Sequence, residues 1–99
     1  MLFLIEAIDR AGAEEVRAAA AAEHREFVGG YLDTMLVGGP LMADDGSRAI
    51  GSMIVKDFVD RDAAMAFIEQ EPYNRAGLFE SVTIRAFHPV VVNPDLVPK

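Results

Sequence analysis

Met35-Leu36-Val37-Gly38-Gly39-Pro40-Leu41-Met42-Ala43-Asp44-Asp45-Gly46-Ser47-Arg48-Ala49-Ile50-Gly51-Ser52-Met53-Ile54-Val55-Lys56-Asp57-Phe58, residues 35–58, is the stretch that decides the fold. Asp44-Asp45-Gly46-Ser47 is a turn signal, because glycine takes up a positive φ without strain and aspartate tolerates one. The apolar run from Met35 to about Met42 predicts the strand before the turn. The run from Ala49 to Phe58 predicts its antiparallel partner.

Working outward, Leu2 to Ile8 is nearly continuous in apolar residues, too short for a helix, and stops at Asp9-Arg10 ahead of Gly12. It predicts a first strand. From about Ala13 to Tyr31 the pattern is helical. Ala18 to Ala22 supply high intrinsic propensity, and Val16, Ala20, Phe27 and Tyr31 recur on one stripe at about 100° per residue, with His24 among them. Glu15, Arg17, Arg25 and Glu26 fall mostly off that stripe, and Gly29 and Gly30 weaken the helix near its end. After the hairpin, Asp60 is placed to cap a second helix with Ala63, Ala64, Phe67 and Ile68 on its apolar side, and Pro72 ends it. A last strand is predicted from Ser81 to about Val92, interrupted by Pro89, followed by residues 93–99 as an arm or tail. The order βαββαβ is that of the α+β, ferredoxin-like fold, an antiparallel four-stranded sheet with both helices on one face.

A chain of 99 residues with 52% hydrophobic residues is expected to form one domain, over 1–99, around a single core. The absence of cysteine removes disulfides, thiolate nucleophiles and CxxC metal sites. Met1 to Glu6 lacks a basic leader and meets an acid too early for a signal peptide, and no apolar run approaches the ~18 residues that span a bilayer. A soluble, cytoplasmic protein with no membrane partner is therefore expected. A net charge of -7, from 9 basic and 16 acidic residues, argues against nucleic acid, whose phosphates this surface would repel.

The strands raise a packing question. Leu2, Phe3, Leu4 and Ile5 are apolar in succession, and the third strand offers Ile50 and Ile54 on one side and Met53 and Val55 on the other. Two helices cover only one face of such a sheet. A homodimer packed sheet on sheet is expected to cover the second.

His24 is the candidate for chemistry. Its unperturbed pKa of about 6.5 lets modest surroundings set its state, and on a buried face the ring needs a hydrogen-bond partner. Glu71 lies one turn beyond Phe67 and is expected on the same side. Asp9, at the end of the first strand, is the second candidate partner. A carboxylate on one ring nitrogen fixes the tautomer and makes the other nitrogen a better base. Tyr73 and Arg85 are candidate ligand-binding residues, as hydroxyl donor and anchor. No cofactor or metal is expected: Val28-Gly29-Gly30 and Val37-Gly38-Gly39-Pro40 lack the spacing of phosphate-binding loops, and His24 and His88 lie on different elements. Asp44 and Asp45 belong to the turn, and Ser47, Ser52 and Ser81 show no nucleophile-elbow pattern.

His24, Val37-Gly38-Gly39-Pro40-Leu41, Gly51-Ser52-Met53-Ile54-Val55 and above all Glu71-Pro72-Tyr73-Asn74-Arg75-Ala76-Gly77-Leu78-Phe79-Glu80-Ser81-Val82-Thr83-Ile84-Arg85-Ala86-Phe87 resemble the YciI-like (YCII-related) family over nearly the whole chain. The resemblance implies a dimeric α/β-barrel of ferredoxin-like subunits, with a histidine and an aspartate paired in a cleft near the dimer interface. His24 matches the histidine. Glu71 stands where an aspartate usually precedes the Pro-Tyr or Pro-Phe pair, keeping the charge but moving it by one methylene. Lyase chemistry of the dehydrochlorinase type on a small, aromatic molecule is what the family implies. A non-catalytic dimeric module that binds a small ligand stands as the alternative, and monooxygenases of the related barrel type share the architecture only.

Overall fold

The computed structural model describes residues 1–98. Strand β1 (Leu2–Asp9) lies inside a four-stranded antiparallel sheet of order β2-β3-β1-β4, with β2 Met35–Met42, β3 Ala49–Asp57 and β4 Phe79–Ala86. Helix α1 (Glu14–Gly29) connects β1 to β2 through a 3-10 turn at Leu32–Thr34. Helix α2 (Arg61–Gln70) and a four-residue helix α3 (Pro72–Arg75) connect β3 to β4. This is the ferredoxin-like α+β arrangement predicted from the element order.

Period-two alternation sends Phe3, Ile5 and Ala7 of β1 to one face, where all three are buried. Register places Ile54 and Ser52 of β3 beside Ile5 and Ala7, and Ile84 and Val82 of β4 on their other side. The helices cover this face. Phe67 of α2 is the hub of the larger cluster, its ring 5.1 Å from Phe27, 5.1 Å from Tyr31 and 5.5 Å from Phe58. A second cluster, Ala13, Tyr73 and Leu78, packs with Val16, Ala20 and Phe79 toward the start of α1. On α1, His24 lies between Ala20 of one cluster and Phe27 of the other, at the seam.

Local signals explain the ends of the elements. Asp60 caps α2 by accepting a hydrogen bond from the Ala63 amide at 2.9 Å. Gly46 takes φ +73 in the β2–β3 turn, where any other residue would be strained. Gly51 is required by a close approach: a Cβ there would run into the carbonyl oxygen of Ala7 on β1.

Several boundaries differ from the sequence expectation, beginning with the first strand, which runs one residue past Ile8 to Asp9. Helix α1 ends at Gly29 rather than Tyr31, because the chain tightens at Gly30 and enters the 3-10 turn. Strand three ends at Asp57, one residue short of Phe58. The last strand starts at Phe79 and stops at Ala86, six residues before Val92. Phe87 still donates to the Leu2 carbonyl at 2.9 Å, but the Met1 carbonyl beyond it accepts from the Phe58 amide, and Pro89 has no N–H to pair. Of the 93–99 segment, Asn93 caps a 3-10 turn at Pro94–Leu96, and Lys99 lies outside the described residues.

The second face of the sheet carries Leu4 and Ile8 of β1, Met53 and Val55 of β3, Val37 and Leu41 of β2, with Arg85 and Thr83 on β4. No helix packs there. Among the described residues no helix is long and apolar enough to cross a membrane.

Candidate active site

Arg17 and His24 stand seven residues apart on α1, two turns, and so project from the same side. Tyr73 of α3 meets both. Its ring stacks on His24 with centroids 4.1 Å apart and planes 19° from parallel, and the Arg17 guanidinium carbon lies 4.6 Å from its centroid. The guanidinium over the ring is a cation–π contact.

The short helix α3 exists because Glu71 and Pro72 start it. Pro72 takes the first helical position, where its fixed φ fits and its missing N–H is no loss. Glu71 is the N-cap: its Oε2 accepts from the Asn74 amide at 3.3 Å and its backbone carbonyl from Arg75 at 3.0 Å. The same residue ends α2, so the side chain is turned inward, and the residue is only 3% exposed. Its Oε1 lies 2.5 Å from His24 Nδ1. A carboxylate only accepts, so Nδ1 carries the hydrogen, and in the neutral ring the lone pair is on Nε2. Among the described residues Nε2 has no hydrogen-bond partner.

Asp9, the other candidate partner, is taken up elsewhere. Arg17 donates from Nε to Asp9 Oδ2 at 2.7 Å and from Nη2 to Oδ1 at 3.0 Å, a bidentate pair. The same Nη2 reaches the Gly51 carbonyl at 2.9 Å and Ser52 Oγ at 3.0 Å, tying α1 to β1 and β3. Burial disfavours the Arg17 charge, but the Asp9 carboxylate and then Tyr73 outweigh it and hold the pKa above its ordinary value. Arg17 is therefore a permanent cation beside the histidine.

A cleft of about 460 Å³ opens beside these groups, between α1, α3 and the Gly38-Gly39-Pro40 segment of β2. Arg17, His24, Arg25, Tyr73 and Ser52 supply its polar wall, and Val28, Met35 and Ile54 its apolar one. Behind the ring is a cavity of about 30 Å³, which Glu71 and Ser52 reach and which Ile5, Ala7, Phe67, Ile68 and Phe79 line with apolar side chains. A more open groove of about 560 Å³ between α1 and α3, lined by Glu15, Val16, Glu23 and Arg75, holds no comparable pair. Among the described residues no cluster of three or more histidine, cysteine or acidic side chains is placed to hold a metal.

His24, Glu71 and Tyr73 thus come together, and Asp9 joins them one step removed, through Arg17. Arg85 does not. It lies on β4 in register with Leu4 of β1, exposed on the uncovered face of the sheet, opposite the His24 cleft. Arg17 and Ser52 are the site residues that the sequence pattern passed over. For Arg17 the signal was present: two helical turns from His24 amounts to a rotation of only about 20° at 100° per residue, so it belongs on the same stripe.

The geometry has counterparts in known proteins. Residues 1–88 match the model of the YCII-related domain. Protein YciI of Escherichia coli O6:H1 is 31% identical over 97 residues, covering 91% of this chain and 99% of its own length, and Protein YciI of Shigella flexneri matches to the same extent. Among solved structures, 5-chloro-2-hydroxyhydroquinone dehydrochlorinase (TftG) from Burkholderia phenoliruptrix, in complex with 2,5-dihydroxybenzoquinone, is similar with a TM-score of 0.83 and 29% identity, over 89% of this chain and 94% of that one. An antibiotic biosynthesis monooxygenase is similar with a TM-score of 0.51 at 15% identity, over 90% of this chain and 100% of that one, a likeness of fold alone. With a family model over residues 1–88 and curated relatives aligned along almost their whole length, the chain belongs to the YCII-related family.

Proposed function

We propose that the protein is a homodimeric lyase that eliminates a proton and a halide from a small hydroxylated ring, with His24 as general base and Glu71 as the group that orients it. The observation that carries this is the Nδ1 contact of His24 with a buried carboxylate, which leaves Nε2 as a fixed basic nitrogen beside the cleft. The similarity to a dehydrochlorinase of chlorinated hydroxyhydroquinone supplies the substrate class. Nε2 takes the proton of one ring hydroxyl and returns it to the chlorine-bearing carbon, giving the keto tautomer. A second hydroxyl then gives its proton to Nε2, its electron pair moves through the ring to form the quinone double bonds, and chloride departs with the carbon–chlorine pair. Proton and chloride leave as the elements of HCl. Arg17 and Arg25, in an otherwise acidic chain, favour the negative charge that develops on the ring oxygen.

The test is chloride release from a chlorinated trihydroxybenzene, followed by ion chromatography together with the absorbance of the quinone product. Wild type is expected to turn over, and Glu71→Gln to be slower by on the order of 10²-fold or more, because an amide holds the wrong tautomer as readily as the right one. Binding of the quinone without any chloride release would instead assign a ligand-binding module.

The dimer has its own check. The uncovered face exposes Val37 (51%) and Phe87 (41%) beside the half-buried Leu4, Ile8, Leu41 and Met53, an apolar surface that a second copy would remove from water. Sedimentation at micromolar concentration is expected to give about twice the chain mass of 10.8 kDa. A stable monomer would rule out the barrel.

A further inference from the structure

Only two of the nine cationic residues are lysines, Lys56 and Lys99. Lys56 leaves β3 on the helix-covered face, in register with Phe3 and Met35, and the residue is 6% exposed. Its Nζ lies 4.2 Å from the centroid of Phe58, 5.0 Å from Tyr31 and 5.4 Å from Phe67. Its hydrogen bond is donated to the Asp57 carbonyl at 3.1 Å, and among the described residues no carboxylate is within ion-pair distance. A cavity of about 260 Å³ adjoins it, walled by Tyr31, Phe58, Ala66, Phe67 and Gln70, and shares no residue with the His24 cleft.

Burial holds the Lys56 pKa below its ordinary value, against the opposing carboxylates of Asp57 and Asp33. The ring faces attract the ammonium as well. An arginine would serve the rings at least as well and never loses its proton, whereas lysine can present a free amine. Once it gives up its proton, a lysine amine beside a cavity of its own is a nucleophile that the His24 chemistry leaves unused.

We propose that Lys56 is a site of Nζ acylation by a small, uncharged acyl thioester. The product fits the surroundings. An amide has no charge to desolvate, its N–H keeps the bond to the Asp57 carbonyl, and a short acyl chain packs against Phe58, Phe67 and Ala66 in the cavity. An uncharged donor is selected because Gln70 is the one polar wall residue besides Lys56 and Tyr31, and a chain of net charge -7 repels an anionic acyl phosphate. After the ammonium gives a proton to solvent, the Nζ lone pair attacks the thioester carbonyl and a carbon–nitrogen bond forms. The carbon–sulfur bond breaks, and sulfur takes the electron pair and the second nitrogen proton to leave as a thiol.

The experiment incubates the full chain with the acetyl thioester of N-acetylcysteamine, adds Nα-acetyl-lysine amide as a competing amine, and follows acetylation by peptide mass spectrometry. The α-amino group of Met1, held by Asp57 Oδ1 at 2.8 Å, is an internal comparison. Lys56 is expected to react at least about tenfold faster than the free lysine analogue. Ala66→Phe, at an exposed position on the cavity rim, should lower the Lys56 rate by about tenfold while thermal melting shows the fold intact. Acetyl phosphate at equal concentration should modify Lys56 more slowly than the thioester. A Lys56 rate at or below that of the free analogue overturns the site, an unchanged rate in Ala66→Phe overturns the role of the cavity, and faster reaction with acetyl phosphate overturns the donor class.

Discussion

Phe67→Ala is expected to cost about 3–5 kcal/mol of stability, the range for deleting a buried aromatic side chain that its surroundings cannot refill. In a domain of this size that is a fall in Tm of roughly 15 °C or more. The reason is the position of the ring. It touches Phe27 of α1, Tyr31 just beyond that helix and Phe58 just past β3, so it joins both long helices to the sheet, and backbone relaxation at one partner opens space at the others. It also walls the small cavity behind His24. Thermal and urea denaturation of the variant check this, and a loss below about 1.5 kcal/mol would show that the cluster tolerates repacking. The effect on the active site should follow from water entering behind the imidazole, so activity measured well below the new Tm should fall even where the fold persists.

The parts of this molecule that sequence patterning reveals are those in which a local rule and the tertiary contact agree. The hairpin turn at Gly46, the Asp60 cap and the short apolar run of β1 are of this kind: each is set within a few residues and packing agrees with it. Helix α3 is not. Four residues are too few to show a helical period, and the only cue is an acceptor at Glu71 followed by Pro72. The end of β4 is not local either. Val90-Val91-Val92 have high strand propensity, yet these residues are exposed, because strand length is set by how far β1 extends alongside. At the site, the stripe on α1 revealed His24 but left the carboxylate open between Asp9 and Glu71. The choice is made by Arg17, which binds Asp9 with both oxygens and leaves Glu71 to the imidazole. Arg85 shows the limit of composition: its strand reaches the core, but alternation puts Val82 and Ile84 inward and the arginine on the far face. Lys56 follows the same parity in the other direction, sharing its face with Ile54.

His24→Asn is expected to lower turnover by about 10²–10⁴-fold while leaving the fold and the association state intact. Asparagine is polar and can donate a hydrogen bond toward Glu71, so the buried carboxylate is not left without a partner, but it takes up no proton near neutral pH. It also gives up the stack on Tyr73, whose remaining contact with Arg17 still holds α3 in place. Three outcomes separate the roles open to this residue. Loss of rate with ligand affinity within a few fold assigns proton transfer to His24. Loss of affinity by about 1–3 kcal/mol, the worth of one hydrogen bond and its unsatisfied partner, with no rate to lose, assigns ligand binding. A lowered Tm with affinity and rate unchanged assigns packing at the seam between the two apolar clusters. Measuring rate, affinity and melting on the same two proteins distinguishes these, and the open Nε2 beside a cleft with two arginines on its wall is what makes the first the expected result.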